Sequence, residues 1–339
     1  MRKNVGPIVR ALAALCLLVG AGEIAAAQDE GDLTARQRIF PGVGPGLRTV
    51  KRGADGRLYI LASPSPGLLV FDAQGKQVLS ISELPSADTG AKTGRALVTF
   101  GEDCDGGADG KIYVADRGAN LVQVFSSEGV PLRSVPLNAP IAVAALPESE
   151  VAVATLREPH LVIVFDKNGR DVREFGDPEP LSERPELNRY LNIGQLATDA
   201  QGHLYYAFAY LPEPTVSQYD RLGYAGQDIQ YTALEAMPAA QAARKEIVRQ
   251  EAKGKEPSFK RILTAVGVDR SNGEVWMALY NTLLHFDKEG NRRATYKIYT
   301  PQGARLEANT ILVEQDRLII GSDPLGIYEF ERPDKKNLK

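Results

Sequence analysis

The sequence predicts an all-β fold, a six-bladed β-propeller built from four-stranded blades. Three observations point to it. A unit of two apolar strands, bounded by turn glycines, recurs six times along the chain. Each unit is too small to bury its apolar face alone, so its copies have to stack around a common axis. A short apolar strand near the N terminus also has no partner of its own, while the last copy lacks one strand.

The clearest copy of the unit runs from Gly110 to Gly129. It consists of a turn glycine, an apolar strand with an aromatic residue, a variable loop, a second apolar strand ending in Phe, and another turn glycine. The other copies begin at Gly56, Val151, Gly202, Gly273 and Arg317. The aromatic residues that recur at fixed positions in these copies are predicted to pack between blades rather than to form a binding surface.

An inner strand precedes each copy, and its small Ala, Val and Thr side chains suit the crowded centre of a ring. The predicted inner strands are 48–51, 96–100, 141–145, 195–198, 264–268 and 310–313. Outer strands follow the second glycine, and they are predicted at 77–81, 131–135, 171–175, 226–229 and 293–298.

Closure of the ring is predicted to depend on the N terminus. The sixth copy is followed by a polar segment broken by Pro333, which is unsuited to an outer strand. The unpaired strand Arg36–Phe40 would supply the missing strand and remove an exposed edge.

The two ends of the chain lie outside the predicted propeller, which spans 28–334. Residues 1–27 resemble a secretory signal peptide, with a basic start, a short apolar run and a small-residue cleavage site at Ala25–Ala27. A lipoprotein cleaved at Cys16 is the weaker alternative, because bulky Leu15 precedes the cysteine. The protein is therefore predicted to be exported, to the periplasm or the cell exterior, with a short tail at 335–339.

Composition excludes several classes of partner. The net charge is −3, and no basic stripe suggests nucleic acid. No segment is long and apolar enough for stable membrane insertion. Only Cys104 would remain after export, so no internal disulfide is expected, and the neighbouring Asp103 and Asp105 disfavour its thiolate.

Turn chemistry distinguishes the two faces of the predicted disc. One face, the tight face, carries short Asp-Gly and Asn-Gly type turns. The opposite face, the irregular face, carries longer loops and the insertions 82–95, 176–194 and 231–260. The third insertion is predicted to be helical over 239–253, with Pro238 in its first turn, as either a helix resting on the rim or a lid.

Binding usually involves the irregular face of a rigid scaffold. Candidate contact residues are therefore taken from its loops; they are Arg117, Asn120, Arg157, His160, Tyr210, Tyr280, Asn281 and Asp323.

Resident metal or nucleophile chemistry is not predicted. The segment Asp103–Gly110 has the acidic character of a calcium loop but not its spacing, and a hairpin turn is preferred. His203 is expected at the surface, His285 within a strand, and no histidine pair has metal-ligand spacing. No nucleophile elbow or phosphate-binding glycine loop is present.

The segment Tyr113–Phe125 closely resembles an NHL repeat, and the other five copies are more divergent matches. The resemblance implies a six-bladed propeller but no single activity, since related proteins include protein- and RNA-binding modules, an amidating lyase and distant lactonases.

Two functions remain open. The first is a non-catalytic exported protein that binds a protein, peptide or glycan through the irregular face and needs no cofactor. The alternative is a gluconolactonase-like or amidating-lyase-like enzyme with a divalent metal on the axis, for which Glu307 and Asn309 are available. The predicted inner strands, with mainly Ala, Val and Thr, favour the first.

Overall fold

The computed structural model describes residues 29–63, 67–81, 98–156, 159–232, 237–253 and 259–334. The predicted signal peptide, the whole of the first insertion, Arg157 and the C-terminal tail lie outside these residues. The described chain begins with two strands, β1 (Asp29–Thr34) and β2 (Gln37–Ile39), which precede the first blade.

Four-stranded meanders form blades 1 to 3. Blade 1 is β3 (Leu47–Arg52), β4 (Leu58–Ala62), β5 (Gly67–Phe71) and β6 (Gln77–Ile81). Blade 2 is β7 (Gly101–Gly106), β8 (Ile112–Asp116), β9 (Leu121–Phe125) and β10 (Pro131–Pro136). Blade 3 is β11 (Pro140–Ala145), β12 (Val151–Thr155), β13 (Val162–Phe165) and β14 (Asp171–Phe175), with a single 3-10 turn at Pro147–Ser149.

Helices precede blades 4 and 5. Helix α1 (Pro185–Leu191) leads into blade 4, which is β15 (Gly194–Thr198), β16 (Leu204–Phe208), β17 (Thr215–Tyr219) and β18 (Ala225–Gln230). Helix α2 (Met237–Lys253) leads into blade 5, which is β19 (Ala265–Val268), β20 (Val275–Leu279), β21 (Thr282–Phe286) and β22 (Arg292–Tyr299). Blade 6 contains β23 (Thr310–Val313), β24 (Arg317–Ser322) and β25 (Gly326–Glu331).

The six sheets form a closed ring. Each innermost strand contacts the innermost strand of the next blade, in the cycle β3, β7, β11, β15, β19, β23 and back to β3. The apolar clusters lie between successive sheets, as expected for units that bury their faces on one another. The predicted six-bladed β-propeller is confirmed.

The N terminus closes this ring as predicted. Strand β2 pairs antiparallel with β25 and completes blade 6, with Gln37 opposite Glu329 and Ile39 opposite Ile327. Next to this pairing, the ring of Phe40 lies 4.6 Å from that of Phe71 in blade 1. The same chain segment therefore joins the last blade to the first.

A second N-terminal strand was not predicted. Strand β1 pairs in parallel with β22 and makes blade 5 five-stranded. Half of its residues are acidic, and Leu33 is its one buried apolar side chain. The strand pairs through backbone hydrogen bonds with the exposed edge of β22. Such pairing needs no alternation of apolar residues, so the sequence pattern did not predict it.

The predicted inner strand of blade 2 was wrong. The sequence favoured the apolar run 96–100, but the strand is Gly101–Gly106. Thr99 and Phe100 instead donate their backbone N–H groups to the carboxylate of Asp116, 2.8 and 2.9 Å away, which holds them in the approach to the strand. Asp103 and Asp105 consequently lie on the innermost strand and not in a hairpin turn.

Aspartates define the tight turns that join the third and fourth strands. In four blades, an Asp after the third strand accepts N–H bonds from the residues two and four positions later; these are Asp72, Asp166, Asp220 and Asp287. The turn then needs a positive φ, which glycine adopts without strain. At Gly223, with φ of +92°, a Cβ atom would lie 2.5 Å from Phe175 of the preceding blade, so any larger residue would also clash there.

Helix α2 spans the predicted segment and rests on the irregular face. Its Ile247 is buried in a cluster with Leu187 and Leu191 of α1 and with Tyr210 of blade 4. Arg184 donates to the backbone oxygen of Gln250 at 2.8 Å, so the second and third insertions hold one another. Within the described part of the chain, neither helix has the length and apolar character needed to span a membrane.

Candidate functional site

A cavity of about 280 Å³ lies on the axis of the ring, and the inner strands of all six blades contribute to its wall. Ala209, Arg261 and Asp323 line it from loops of the irregular face. At the opposite end, Thr198 and Arg270 line it near the tight face. Since α2 contributes no described residue to the wall, the helix is at the rim of the irregular face rather than in the cavity.

One equivalent position of the inner strands, set by the pairing with the second strand of each blade, has a special role in this wall. In blades 2, 4 and 6 it is polar and accepts an N–H bond from the inner strand of the following blade. Asp103 bonds Val143, Gln195 bonds Val266, and Thr310 bonds Val50, at 2.9, 3.2 and 3.1 Å. An inner strand is the edge of its sheet, so these bonds satisfy N–H groups that would otherwise face the cavity unpaired.

Three charged residues occupy the middle of the cavity wall. The ammonium of Lys51 donates to the Asp103 carboxylate at 2.6 Å and to the Val143 backbone oxygen at 2.7 Å. Asp105, two residues further along β7, accepts N–H bonds from Gly106 and Ala145. Burial raises the pKa of both aspartates, and Lys51 only partly offsets that effect.

The pKa of Lys51 is also raised, because the neighbouring aspartates outweigh the opposing effect of its burial. The lysine is therefore a charged group at neutral pH and is poorly suited to act as a nucleophile. Cys104, between the two aspartates, is buried, and burial followed by the Asp103 charge raises the pKa of its thiol well above the usual value. This environment agrees with the sequence-based expectation that Asp103 and Asp105 disfavour the thiolate of Cys104.

Arginines surround the opening of the cavity at the irregular face. Glu102 lies between Arg117, at 3.0 Å, and Arg48, at 3.9 Å. The guanidinium of Arg48 also stacks 4.8 Å from the ring centroid of Phe100. Its Nε atom is buried without a hydrogen-bond partner, as is Oδ1 of Asn309 at the equivalent position of blade 6. The opening thus combines fixed positive charge with one unsatisfied donor and one unsatisfied acceptor.

An aromatic cluster lies next to this opening. The ring of Tyr190 is 4.9 Å from Tyr210 and 6.2 Å from Phe259, and its hydroxyl is 3.3 Å from that of Tyr210. Burial and the Tyr210 hydroxyl raise the pKa of Tyr190, while the charges of Arg261 and Arg117 act in the opposite direction. Both arginines therefore lie near these rings.

Five of the eight predicted contact residues lie at or near a cavity or in the aromatic cluster. Asp323 lines the axial cavity, and Arg117 is bonded to Glu102 in its wall. Tyr210 is buried in the aromatic cluster. Tyr280 and Asn281 line a separate cavity of about 650 Å³ beside β1.

The remaining predicted residues have local roles or lie elsewhere. Asn120, with φ of +54°, accepts the N–H of Ala139 at 2.9 Å and so holds the link to the next blade. His160 is 3.6 Å from exposed Asp177 and does not line the axial cavity. Arg157 lies outside the described residues.

One described group has the residue types of a metal site. Ligand atoms of Glu274, His285 and Asp334 lie within 4.8 Å of one another. However, the fully buried guanidinium of Arg332 donates to Asp334 at 2.6 Å and lies 3.4 Å from Glu274. Because this fixed cation is already bonded to two of the three groups, the donor set does not fit a divalent ion.

The histidines follow the predicted pattern. His285 is buried in β21, where its ring stacks on Trp276 at 4.0 Å, and it bonds Glu274 at 3.2 Å. His203 is partly exposed beside Asp199, which accepts the backbone N–H bonds of a tight turn. Neither histidine lines the axial cavity.

Sequence reasoning missed Lys51, Glu102, Asp103 and Asp105 as residues of the cavity. The available signal was the pair of polar residues Gln195 and Thr310, which occupy equivalent positions in the predicted inner strands of blades 4 and 6. Aligning the inner strands by their distance from the following turn would have placed Asp103 at the same position.

No protein-family model matches the chain, and no curated protein matches its sequence. Solved structures do match. A gluconolactonase from Xanthomonas campestris superposes with a TM-score of 0.56 at 13% identity, covering 86% of this chain and 87% of that chain. Virginiamycin B lyase from Staphylococcus aureus gives a TM-score of 0.51 at 12% identity, covering 88% and 87%. Kuenenia stuttgartiensis hydrazine synthase gives 0.53 at 11%, covering 86% and 96%. At such identities the likeness concerns the fold.

Proposed function

We propose that this protein binds a small polar molecule through an anionic group, in the axial cavity and from the irregular face. The observation that carries the proposal is the side chain of Arg48, which lines the opening of this cavity and is 32% exposed there. A volume of about 280 Å³ suits a small molecule. We therefore propose a small ligand in place of the protein, peptide or glycan expected from the sequence.

Arginine is well suited to this recognition, because its planar guanidinium binds carboxylates and phosphates through parallel N–H bonds. The ion pair with Glu102 and the stacking on Phe100 restrain Arg48 before any ligand arrives. Arg261 adds a second, exposed cation to the wall. Little ordering entropy is then lost on binding.

An enzyme acting on a small molecule is the second candidate. The matching gluconolactonase and lyase are enzymes, which favours this alternative over a purely non-catalytic role. The metal-dependent form has less support among the described residues. Glu102 is paired with Arg117 and Asp103 with Lys51, so neither carboxylate is free to bind a metal ion. In the group formed by Glu274, His285 and Asp334, the place of a cation is taken by Arg332.

Two further assignments remain proposals. Export rests on the signal-like residues 1–27, and membership of the NHL-repeat family rests on the match at 113–125. Cleavage before residue 28 would be seen as a new N terminus in protein recovered from the periplasm or medium. Recovery of uncleaved chain from the cytoplasm alone would contradict export.

Calorimetric titration with hexanoate, a simple carboxylate probe, tests the binding proposal. Losing one charge-assisted hydrogen bond typically costs about 1.5–3 kcal/mol, so Arg48→Gln is expected to weaken binding by roughly tenfold or more. Arg293→Gln is the matched control, because this exposed arginine pairs with Asp287 on an outer strand. Equal affinities for wild type and Arg48→Gln would refute the proposal.

Hydrolysis of gluconolactone, followed by acid release, tests the second candidate. The protein is assayed with a chelator and then with added Ca²⁺, Mg²⁺ or Zn²⁺. A rate above background that requires the ion would favour the metal-dependent enzyme. An ion-independent rate lost in Arg48→Gln would favour catalysis in the axial cavity by the chain's own residues.

A further inference from the structure

We infer that the ligand of the axial cavity is zwitterionic, with a cationic group bound beside Asp103 and Asp105 and its anionic group at the arginine-lined opening. The inference rests on the proposed function of the cavity, and it specifies the class of ligand. It follows from the distribution of charge along the axis.

The middle of the cavity carries an excess of negative charge. Asp103 and Asp105 both line it and are only 7% exposed, and Lys51 is the one cation bonded there among the described residues. Backbone N–H groups use some of the carboxylate lone pairs, but they do not neutralise the charge. Buried carboxylates that lack a full set of counter-charges are costly, so a ligand ammonium there would be stabilised.

The opening carries the opposite excess. Arg48 and Arg261 line it together with Glu102 and Asp323, and Arg117 adds its charge through Glu102. Three cations therefore face two anions. An anionic group is favoured at this level, whereas an ammonium group is favoured only deeper in the cavity.

The end near the tight face is positive again. The Arg52 guanidinium is bonded to Glu314, and Arg270 donates to the Arg52 backbone oxygen at 3.0 Å. This positive end disfavours movement of a ligand ammonium past Asp105. The negative level is thus bounded by positive charge on both sides, which gives a ligand ammonium a defined position.

The spacing of the two charge levels sets the length of the ligand. Arg48 and Lys51 are three residues apart on β3, which corresponds to roughly 10 Å along a strand. A linear molecule such as 6-aminohexanoate has its charges separated by a similar distance once the hydrogen bonds at both ends are included. It is therefore a suitable probe, with hexanoate and hexylamine as its single-charge analogues.

The test compares these three probes by calorimetry at low salt. Wild-type protein is expected to bind 6-aminohexanoate about tenfold more tightly than hexanoate, the size expected for one added charge-assisted hydrogen bond. In Asp105→Asn this preference is expected to disappear, so that 6-aminohexanoate and hexanoate bind with about equal affinity. Asp166→Asn is the matched control, because Asp166 also accepts two backbone N–H bonds but lies in an exposed turn.

The outcomes separate this inference from the function on which it rests. If hexanoate binds as tightly as 6-aminohexanoate to the wild type, the ligand is anionic only and the inference fails, while the proposed cavity function stands. If no probe binds, both fail. The wild-type comparison does not depend on the folding of Asp105→Asn. An equal preference in Asp105→Asn and wild type would also overturn the inference.

Discussion

Replacing Arg332 with methionine should strongly destabilise the ring, because its charge is bonded on all sides. The side chain is fully buried and follows the last strand of blade 6. It donates to Asp269 of blade 5 at 2.6 Å, to both oxygens of Asp334 and to the Glu314 backbone oxygen. Methionine fills much of the same volume but leaves the carboxylates of Asp269, Asp334 and Glu274 without the cation that they share.

The size of the effect follows from this environment. Breaking a buried pair by removing one partner costs about 3–5 kcal/mol. For a domain of this length, each kcal/mol lowers the melting temperature by roughly 2 °C, so Arg332→Met should melt roughly 6–10 °C below wild type at neutral pH. Differential scanning calorimetry measures the shift, and Arg249→Met, at an exposed helical ion pair, is the control expected to melt like wild type.

The difference should also depend on pH. Although burial opposes it, hydrogen bonding from Ser271 and Arg332 holds the pKa of Asp269 below its usual value. His285, with Asn272 and Arg332, lowers the pKa of Glu274 in the same way. Such carboxylates stabilise the fold above their unfolded pKa, and this contribution is lost as the pH falls through their folded pKa.

In Arg332→Met these pKa values rise, so part of the stabilisation is already missing at pH 7. The gap between the two proteins should therefore narrow as the pH falls below about 4, where both lose it. A melting temperature for Arg332→Met within about 1 °C of wild type at pH 7 would refute this reasoning. A gap that widened on acidification would do the same.

Two further predictions concern the ring itself. Deleting residues 28–42 removes β1 and β2 and exposes the edges of β22 and β25, so the melting temperature should fall by on the order of 10 °C. Deleting residues 28–34 removes β1 alone and should lower the melting temperature less. Equal stability of the longer deletion and wild type would contradict ring closure. Thr310→Val leaves the buried Val50 N–H without its acceptor and should lower the free energy of unfolding by about 1–3 kcal/mol in denaturant titrations. Thr49→Val, at the equivalent position of blade 1, is the control and should lower it less. Equal losses in the two variants would show that the bond does not stabilise the fold.

Much of the fold could be predicted from sequence because its signals are local. Strands such as Ile112–Asp116 and Leu121–Phe125 are mainly apolar segments bounded by turn residues, and the turn at Asp166–Gly169 has a defined chemistry. The closing strand was also predictable, because the strand missing from blade 6 and the unpaired residues 36–40 are both visible in the sequence.

The candidate site was harder to predict, because its residues break the local pattern. Strand β7 reads Gly-Glu-Asp-Cys-Asp-Gly, which resembles a turn, and its strand conformation depends on pairing with β8 and on bonds to blade 3. Lys51 is informative only once its distance to Asp103, 52 residues away, is known. Periodicity does not record such contacts between blades.

The polar inner-strand residues of blades 2, 4 and 6 leave the joint between blades 3 and 4 without a bond of this kind. Blades 3 and 4 meet on the axis through alanine and leucine side chains, in particular Ala142, Ala144 and Leu196, which cannot form the bonds made by Asp103 or Thr310. This joint lies on the opposite side of the ring from the joint between blades 6 and 1, which the N-terminal segment closes. Helix α1 crosses it, and Leu187 packs with Ile141 of one blade and Tyr210 of the other. The second and third insertions thus pack across a joint that lacks these polar bonds, which gives them a structural role apart from any ligand.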